Sequence, residues 1–298
     1  MIRPKQADTA QPIRVSIILP AKNETASLAT LLPELKEQMP DAEIIVVDDG
    51  STDNIRSVCE RCDVKVVSQP YSIGNGAAVK AGGRSALGDI LVFMDADGQH
   101  QPEDIRGLLE KLDQGYDMVV GARGRGSQAS LHRGVANKLY NRLATWMVGK
   151  EVEDLTSGFR AVRAKKFRQF IYLLPNGFSY PTTITMSFFR AGYPVAYLPI
   201  HTPKRVGKSH LRLFRDGLRF LLIIFKIGSL YSPLKLFTPV ALFHALLGIG
   251  YYAFTFTTQH RLSSMTVFLL SAAVTIFMIG LVSEQITALM YKDSSAGD

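Results

Sequence analysis

Cysteine is almost missing from this chain: Cys59 and Cys62 are the only two among 298 residues. That scarcity excludes a disulfide-stapled scaffold and suits a reducing compartment. The pair has C-x-x-C spacing, but no second ligand pair follows and NIRSVCERCD reads as an amphipathic helix, so zinc or redox chemistry is the lesser reading. Residues 1–12, MIRPKQADTAQP, lack any apolar stretch; a disordered polar N-terminus without a secretory signal is expected, which keeps the next element in the cytoplasm. Glycine-rich nucleotide fingerprints are missing too. GNGAAVKAG lacks the G-x-x-x-x-G-K-[ST] spacing, and Val79 stands where G-x-G-x-x-G needs its third glycine. Gly76, Ala77 and Ala78 point instead to close approach of a helix to a sheet or to a sugar.

Hydrophobic residues make up 47% of the chain, enough for one sizeable domain and something smaller. The formal net charge of +8 suits phosphate, nucleic acid or an acidic membrane surface. Basic residues concentrate from Lys204 to Lys235 and run directly into apolar sequence.

Five apolar runs alternate with helical patterns: VSIILP from Val15, EIIVVDD from Glu43, VKVVSQ from Val64, DILVFMDAD from Asp89, and DMVVGAR from Asp117. This alternation predicts an α/β fold, a mostly parallel sheet with helices on both faces, over residues 13–210. Such sheets bind ligands at the carboxyl ends of their strands, where Asn23, Asp48, Asp49, Asp95, Asp97 and Arg123 would gather.

Beyond residue 210 the pattern changes. HLRLFRDGLRFLLIIFKIG sets basic residues against an apolar face, so residues 211–234 are expected to lie in a membrane interface, the alternative being an ordinary surface helix. Residues 236–258 and 263–283 contain no Asp, Glu, Lys or Arg, and each is long enough to cross a bilayer of about 30 Å. Four residues link them, so residues 235–292 are expected to form a transmembrane hairpin rather than a buried hairpin of a soluble protein. Arg212, Arg215, Arg219, Lys226 and Lys235 precede the first span and Lys292 follows the second, against Arg261 alone between them. The positive-inside rule then places the N-terminal domain on the cytoplasmic side. Gly248 and Gly250 offer close contact with a second copy.

The sharpest chemical signal is MDADGQH. Residues i and i+2 of a strand face the same way, so Asp95 and Asp97 at a strand end could address one site, with Gln99 as a further oxygen. Hard divalent cations prefer such ligands and share them with a diphosphate. A polar loop cap is the plainer reading. Of Asp48 and Asp49, one could bind a ribose or base and the other cap the D-G-S-T-D turn. Arg205 and Lys208, in KRVGKSHL, could grip phosphates or simply be drawn to anionic lipid.

VSIILPAKNE, VVDDGSTD, VFMDADGQHQP, DLTSGF (154–159) and KRVGKS together resemble the family-2 glycosyltransferases of GT-A fold, in particular dolichol-phosphate mannose synthases and bacterial polyprenyl-phosphate glycosyltransferases. The resemblance runs from about Val15 to the end of the chain. It implies inverting transfer of a sugar from GDP-mannose or a UDP-hexose to a polyprenyl phosphate at the cytoplasmic face of a membrane, with Mg²⁺ or Mn²⁺. The partners it implies are a nucleotide sugar, a polyprenyl phosphate and a lipid bilayer, not nucleic acid. Pro20, Ala21, Asn23, Glu24, Asp48, Asp49, Asp95 and Ala96 would bind the donor nucleotide. Asp95, Asp97 and Gln99 would hold the metal, Arg123, Arg133, Arg205 and Lys208 the phosphates, and Asp97, Asp154 and Arg205 would serve catalysis. Departures are the Thr-rich FSYPTTITMSFF, where some relatives carry an acid, and a second arginine, Arg125, in GARGRG. Rival readings are a transferase acting on another lipid acceptor and a non-catalytic membrane scaffold with a degenerate transferase domain.

Overall fold

A computed structural model of the chain describes residues 14–123, 131–177, 179–200, 225, 228–229 and 231–292, with backbone alone at 131–137. The chain packs as two units. The first takes in the described residues up to Arg123, then Thr156–Pro181 and the strand from Val195. It is built on a seven-stranded sheet in the order β3-β2-β1-β4-β6-β5-β7. The strands are β1 (Val15–Ala21), β2 (Glu43–Asp48), β3 (Lys65–Ser68), β4 (Ile90–Phe93), β5 (Met118–Arg123), β6 (Arg160–Arg163) and β7 (Val195–Ile200). All neighbours are parallel except β6, which runs antiparallel between β4 and β5. The expected α/β sheet is present; β6 and β7 extend it beyond the five strands evident from apolar runs.

Both faces of the central strands are covered, so β1, β2 and β4 are continuous apolar runs rather than alternating ones. On one face, Ile17, Leu19, Val46 and Val92 share a core with Leu28, Leu32 and Leu35 of α1 (Thr25–Gln38), Ile55 and Val58 of α2 (Ile55–Arg61), and Ile105, Leu108 and Leu112 of α4 (Asp104–Asp113). The other face carries α3 (Asn75–Ser85) and α6 (Ala164–Gln169). The small residues of α3 permit this: a Cβ on Gly82 would stand 2.3 Å from Ile18 Cγ2, and one on Gly83 2.6 Å from the Phe167 ring. Cys59 is buried at 0% exposure and burial, with Cys62 beside it, pushes its thiol up to about 11. It packs as a small apolar residue, which disposes of a thiolate role for it at neutral pH.

The second unit comprises α5 (Leu131–Val148), the segment to Leu155, most of α7 (Tyr180–Arg190), and two long helices, α8 (Pro233–Gln259) and α9 (Ser264–Met290). Each long helix has 27 residues, about 40 Å at 1.5 Å per residue, more than a hydrocarbon core requires. Their mutual seam is narrow and made of small residues seven apart: Ala241, Gly248 and Thr255 on α8, and Thr266, Ala273, Gly280 and Thr287 on α9. Leu242, Phe243, Ile249, Phe254, Phe268 and Val274 point outward and exposed. Only 11% and 17% of the most apolar stretches of the two helices are buried, the reverse of a soluble core hairpin.

Three details bear on the expectations. The second apolar helix runs beyond the uncharged stretch 263–283 through Glu284, whose carboxylate accepts hydrogen bonds from Arg190 Nη1 (3.0 Å) and Leu234 N (3.2 Å). Gly248 is consumed within the hairpin, since a Cβ there would meet Leu270 Cδ2 at 2.8 Å; only Gly250 faces open space. The expected interfacial segment 211–234 lies mostly outside the described residues.

Candidate active site

The strand order brings the carboxyl ends of β2, β1 and β4 side by side. Backbone bonds continue the alignment past the strands: Asp49 N donates to Ala21 O (2.9 Å) and Met94 N to Ile18 O (3.1 Å). Above these ends lies a cavity of about 520 Å³, lined by Pro20, Ala21, Glu24, Asp49, Asp95, Ala96, Asp97 and Gln99, and also by Lys22, Ser72, Gly74, Asn75 and Ala78. Six of the eight residues expected to bind the donor nucleotide therefore share one cavity with Asp97 and Gln99, expected at the metal, as the rule for α/β sheets requires.

Two adjacent acids divide the work after β2. Asp48 Oδ1 accepts a hydrogen bond from Ser51 N (2.9 Å), which makes it the cap of the D-G-S-T-D turn; it does not line the cavity. Asp49 does, at 5% exposure. Its Oδ1 accepts from Ile73 N (2.7 Å) and Gly74 N (3.1 Å), and its Oδ2 from Ser72 Oγ (2.8 Å). These bonds pin the loop leading into α3, at the helix end where negative charge is favoured. Lys22 Nζ extends the network by donating to Ser72 Oγ (3.0 Å). Asn23 is not in the cavity either. At φ 57° it occupies the left-handed region that asparagine tolerates, and its Oδ1 accepts from Thr52 N (2.8 Å), tying the β1 loop to the β2 loop.

Asp95 and Asp97 do not end a strand, contrary to expectation. β4 stops at Phe93 and the two acids lie in the turn that follows, with Gly98 at φ 72° and Gln99 N donating to Asp97 Oδ1 (3.1 Å). Both still line one cavity, so a turn accomplishes what strand alternation was expected to do. Neither carboxylate has a Lys or Arg counter-charge among the described residues, nor do three His, Cys, Asp or Glu gather there as a ready-made cage. Two carboxylates and one amide oxygen are hard donors, few in number. They fit Mg²⁺ or Mn²⁺ shared with phosphate and water better than a closed protein site.

Beneath Asp95 runs the segment Ser157–Gly158–Phe159. Arg160, at 0% exposure, fixes it from below: Nη2 donates to Ser157 O, and Nη1 to Pro181 O (3.1 Å). Tyr180 OH donates to Gly158 O (3.3 Å). Burial, reinforced by the Asp95 charge, pushes the Tyr180 phenol far up, so it remains a neutral donor. The close approach of α3 is also specific: a Cβ on Gly76 would stand 2.1 Å from Pro175 O, so Gly76 meets a loop rather than the sheet, while Ala78 lines the cavity.

Of the remaining expected residues, Arg123 and Asp154 are described with their side chains. Arg123 ends β5 and its Nη2 donates to Thr156 Oγ1 (2.6 Å). Asp154 is buried at 7% exposure in the other packing unit. Arg133 belongs to α5, its side chain outside the description, and Arg205 and Lys208 lie outside the described residues altogether. Lys22, Ser72, Asn75, His100 and Arg160 were not anticipated.

A family model described as glycosyl transferase family 2 matches residues 16–171, and one described as GtrB C-terminal hairpin matches 232–289. Glycosyltransferase AglJ of Haloferax volcanii is 28% identical over 93% of this chain and 95% of its own. Undecaprenyl-phosphate mannosyltransferase of Micrococcus luteus is 33% identical over 67% and 88%. Polyprenol monophosphomannose synthase of Mycolicibacterium smegmatis is 29% identical over 66% and 81%. Among solved structures, glucosyl-3-phosphoglycerate synthase from Mycobacterium tuberculosis, in complex with Mn²⁺, UDP-glucose and phosphoglyceric acid, superposes with a TM-score of 0.58 at 24% identity, over 73% of this chain and 79% of that one.

Proposed function

The chain belongs to glycosyl transferase family 2 and is a glycosyltransferase, and on that premise we propose that it moves a hexose from a nucleotide sugar to a polyprenyl phosphate at a membrane surface. The observation that carries the proposal is the conjunction, in one chain, of a cavity holding Asp95, Asp97 and Gln99 and a hairpin of two outward-apolar helices. An acceptor whose tail stays in the bilayer needs an enzyme that stays there too. The names of the Micrococcus and Mycolicibacterium relatives support this acceptor class.

The nucleoside would lie over the ends of β1 and β2, along Pro20, Ala21 and Glu24, against the loop that Asp49 pins. Because Asp49 spends its oxygens on Ile73, Gly74 and Ser72, its task is to hold the pocket wall in shape before the donor arrives. Asp95, Asp97 and Gln99 would hold Mg²⁺ or Mn²⁺, which when bound neutralises the charge that develops on the departing diphosphate. The acceptor oxygen of a phosphate is already anionic, so it needs aim rather than deprotonation. Arg205 and Lys208 would supply that aim at the lipid surface, Arg123 and Arg133 would assist at phosphate, and Asp154 would orient the sugar. In-line attack inverts the anomeric carbon. The positive-inside pattern supports a cytoplasmic catalytic face.

The test is a panel of nucleotide sugars, with GDP-mannose and UDP-glucose at its head, incubated with the full chain in membranes, Mn²⁺ or Mg²⁺, and either undecaprenyl phosphate or a diacylglycerol. Metal-dependent transfer to the polyprenyl phosphate is expected. Transfer to the diacylglycerol alone would replace the acceptor, and no transfer from any donor would leave the scaffold reading standing.

A further inference from the structure

His100 is five residues beyond Asp95 and almost wholly buried, at 6% exposure. Its ring lies on Phe159, centroids 4.9 Å apart and planes inclined by 17°. Nε2 faces Asp95 Oδ2 at 3.8 Å, and Nδ1 is buried with no hydrogen-bond partner. A buried imidazole nitrogen without a partner is costly and calls for an explanation.

The explanation lies in the choice of tautomer. With its hydrogen on Nδ1, the neutral ring would bury a donor with no acceptor and turn a bare lone pair toward a carboxylate, which is unfavourable at both ends. With its hydrogen on Nε2, the ring presents an N–H toward Asp95 Oδ2 and leaves an acceptor lone pair buried at Nδ1. Since Nδ1 lacks a partner in either tautomer, the carboxylate facing Nε2 decides for the second arrangement. The same carboxylate abuts Gly158, where a Cβ would come within 2.9 Å of Oδ2 and 3.2 Å of Oδ1. The Asp95 carboxylate is thus bordered by the imidazole, on the Oδ2 side, and by Gly158.

We propose that His100 is a positioning residue that orients Asp95 for the divalent cation, its imidazole held in place by Phe159. The inference rests on the metal-site reading of Asp95 and Asp97 given above. At 3.8 Å the contact is electrostatic and longer than a hydrogen bond; outer partners of this kind orient metal-ligating carboxylates, and their loss weakens metal affinity by about 10–100-fold.

The experiment is Mn²⁺ titration of the full chain in detergent, read by the loss of the free-ion electron paramagnetic resonance signal, with and without UDP or GDP. His100→Phe keeps the ring and its stacking but removes the N–H. It is expected to weaken Mn²⁺ binding by about 10–100-fold, while metal-free nucleotide affinity and the melting temperature stay close to those of the parent. His100→Gln, which offers an amide N–H, is expected to recover part of the loss. Phe159→Leu, which keeps the imidazole and loosens its seat, should weaken Mn²⁺ less and serves if His100→Phe does not fold. Parental Mn²⁺ affinity in His100→Phe would overturn the proposal. If the parent chain itself bound no Mn²⁺ with nucleotide present, the metal reading of the aspartates would fall first.

Discussion

Gly158 stands directly against Asp95: a Cβ placed on it would lie 2.9 Å from one carboxylate oxygen and 3.2 Å from the other. The glycine makes room for the acid, across more than sixty residues of sequence. What a methyl group would strike is the end of a movable side chain and not backbone, so Gly158→Ala should fold normally and displace Asp95 instead. Sugar transfer is expected to fall by about 10–100-fold, since a shift of about 1 Å in a positioned group can cost that much. Equal melting temperatures alongside the lost activity would establish the effect as local; unchanged activity would show that Asp95 needs no fixed position.

Asp97→Ala removes one of the two carboxylates in the turn after β4 without touching the core. The expected outcome is a loss of transfer of at least about 10²–10³-fold, the size associated with removing one electrostatic stabiliser of a leaving group, with folding and membrane insertion retained. Activity at the parental level with Mn²⁺ present would remove Asp97 from the site.

These two aspartates also show where a sequence reading reaches and where it stops. The apolar runs of β1, β2 and β4 were legible because strands buried on both faces leave no alternation to misread. That Asp95 and Asp97 face one cavity was legible, but for the wrong reason: the expected strand ends at Phe93, and the left-handed Gly98 closes a turn instead. Asp48 and Asp49 could not be separated from spacing, because which one turns inward depends on the loop at Ile73 and Gly74, more than twenty residues on. β6 carries no apolar-run signal, since its four residues, RAVR, begin and end in arginine; Arg160 is buried with its guanidinium donating to the Ser157 and Pro181 carbonyls. His100 sits in the quoted motif, yet its seat is Phe159, on a different strand approach, and nothing local to MDADGQH encodes that meeting.

Glu43, at the start of β2, gives the fold a pH-dependent element away from the cavity. Burial alone would raise its pKa. Hydrogen bonds from Leu87 N (2.8 Å) and Ser16 Oγ (2.5 Å), and the Lys65 ammonium at 3.1 Å, outweigh that and hold the carboxyl below the usual carboxylate range. A folded-state pKa below the unfolded value adds stability that is present above the unfolded pKa of about 4.3 and lost as pH falls through the lower folded value. Glu43→Gln should therefore be less stable than the parent at neutral pH by about 1–3 kcal/mol. The gap should narrow on acidification below about pH 4, as read by thermal unfolding at a series of pH values. A gap that stays constant to pH 2 would mean that the carboxylate charge contributes nothing.

Within the second unit, Arg190 and Glu284 join the end of α7 to α9. Arg190 Nη1 donates to Glu284 Oε1 (3.0 Å) and to Tyr231 O, and its guanidinium lies 6.0 Å from the Tyr231 ring centre and 5.9 Å from that of Tyr291. Glu284 Oε2 in turn accepts from Leu234 N at the start of α8, so one carboxylate serves three elements. The two side chains are about one-fifth exposed, 20% and 23%, intermediate between a solvated pair worth little and a buried pair whose rupture strands a charge. Glu284→Gln preserves shape and one acceptor, whereas Glu284→Ala leaves both Arg190 and Leu234 N wanting. The alanine variant should lose about 1.5–3 kcal/mol, the range for a hydrogen bond to a charged group, and the glutamine variant less. A double-mutant cycle with Arg190→Met, scored by thermal unfolding in detergent, isolates the pair. If the two single losses simply add, the residues act independently and α7 is held to the hairpin by packing alone; a double mutant less damaged than that sum identifies the ion pair as the tie between them.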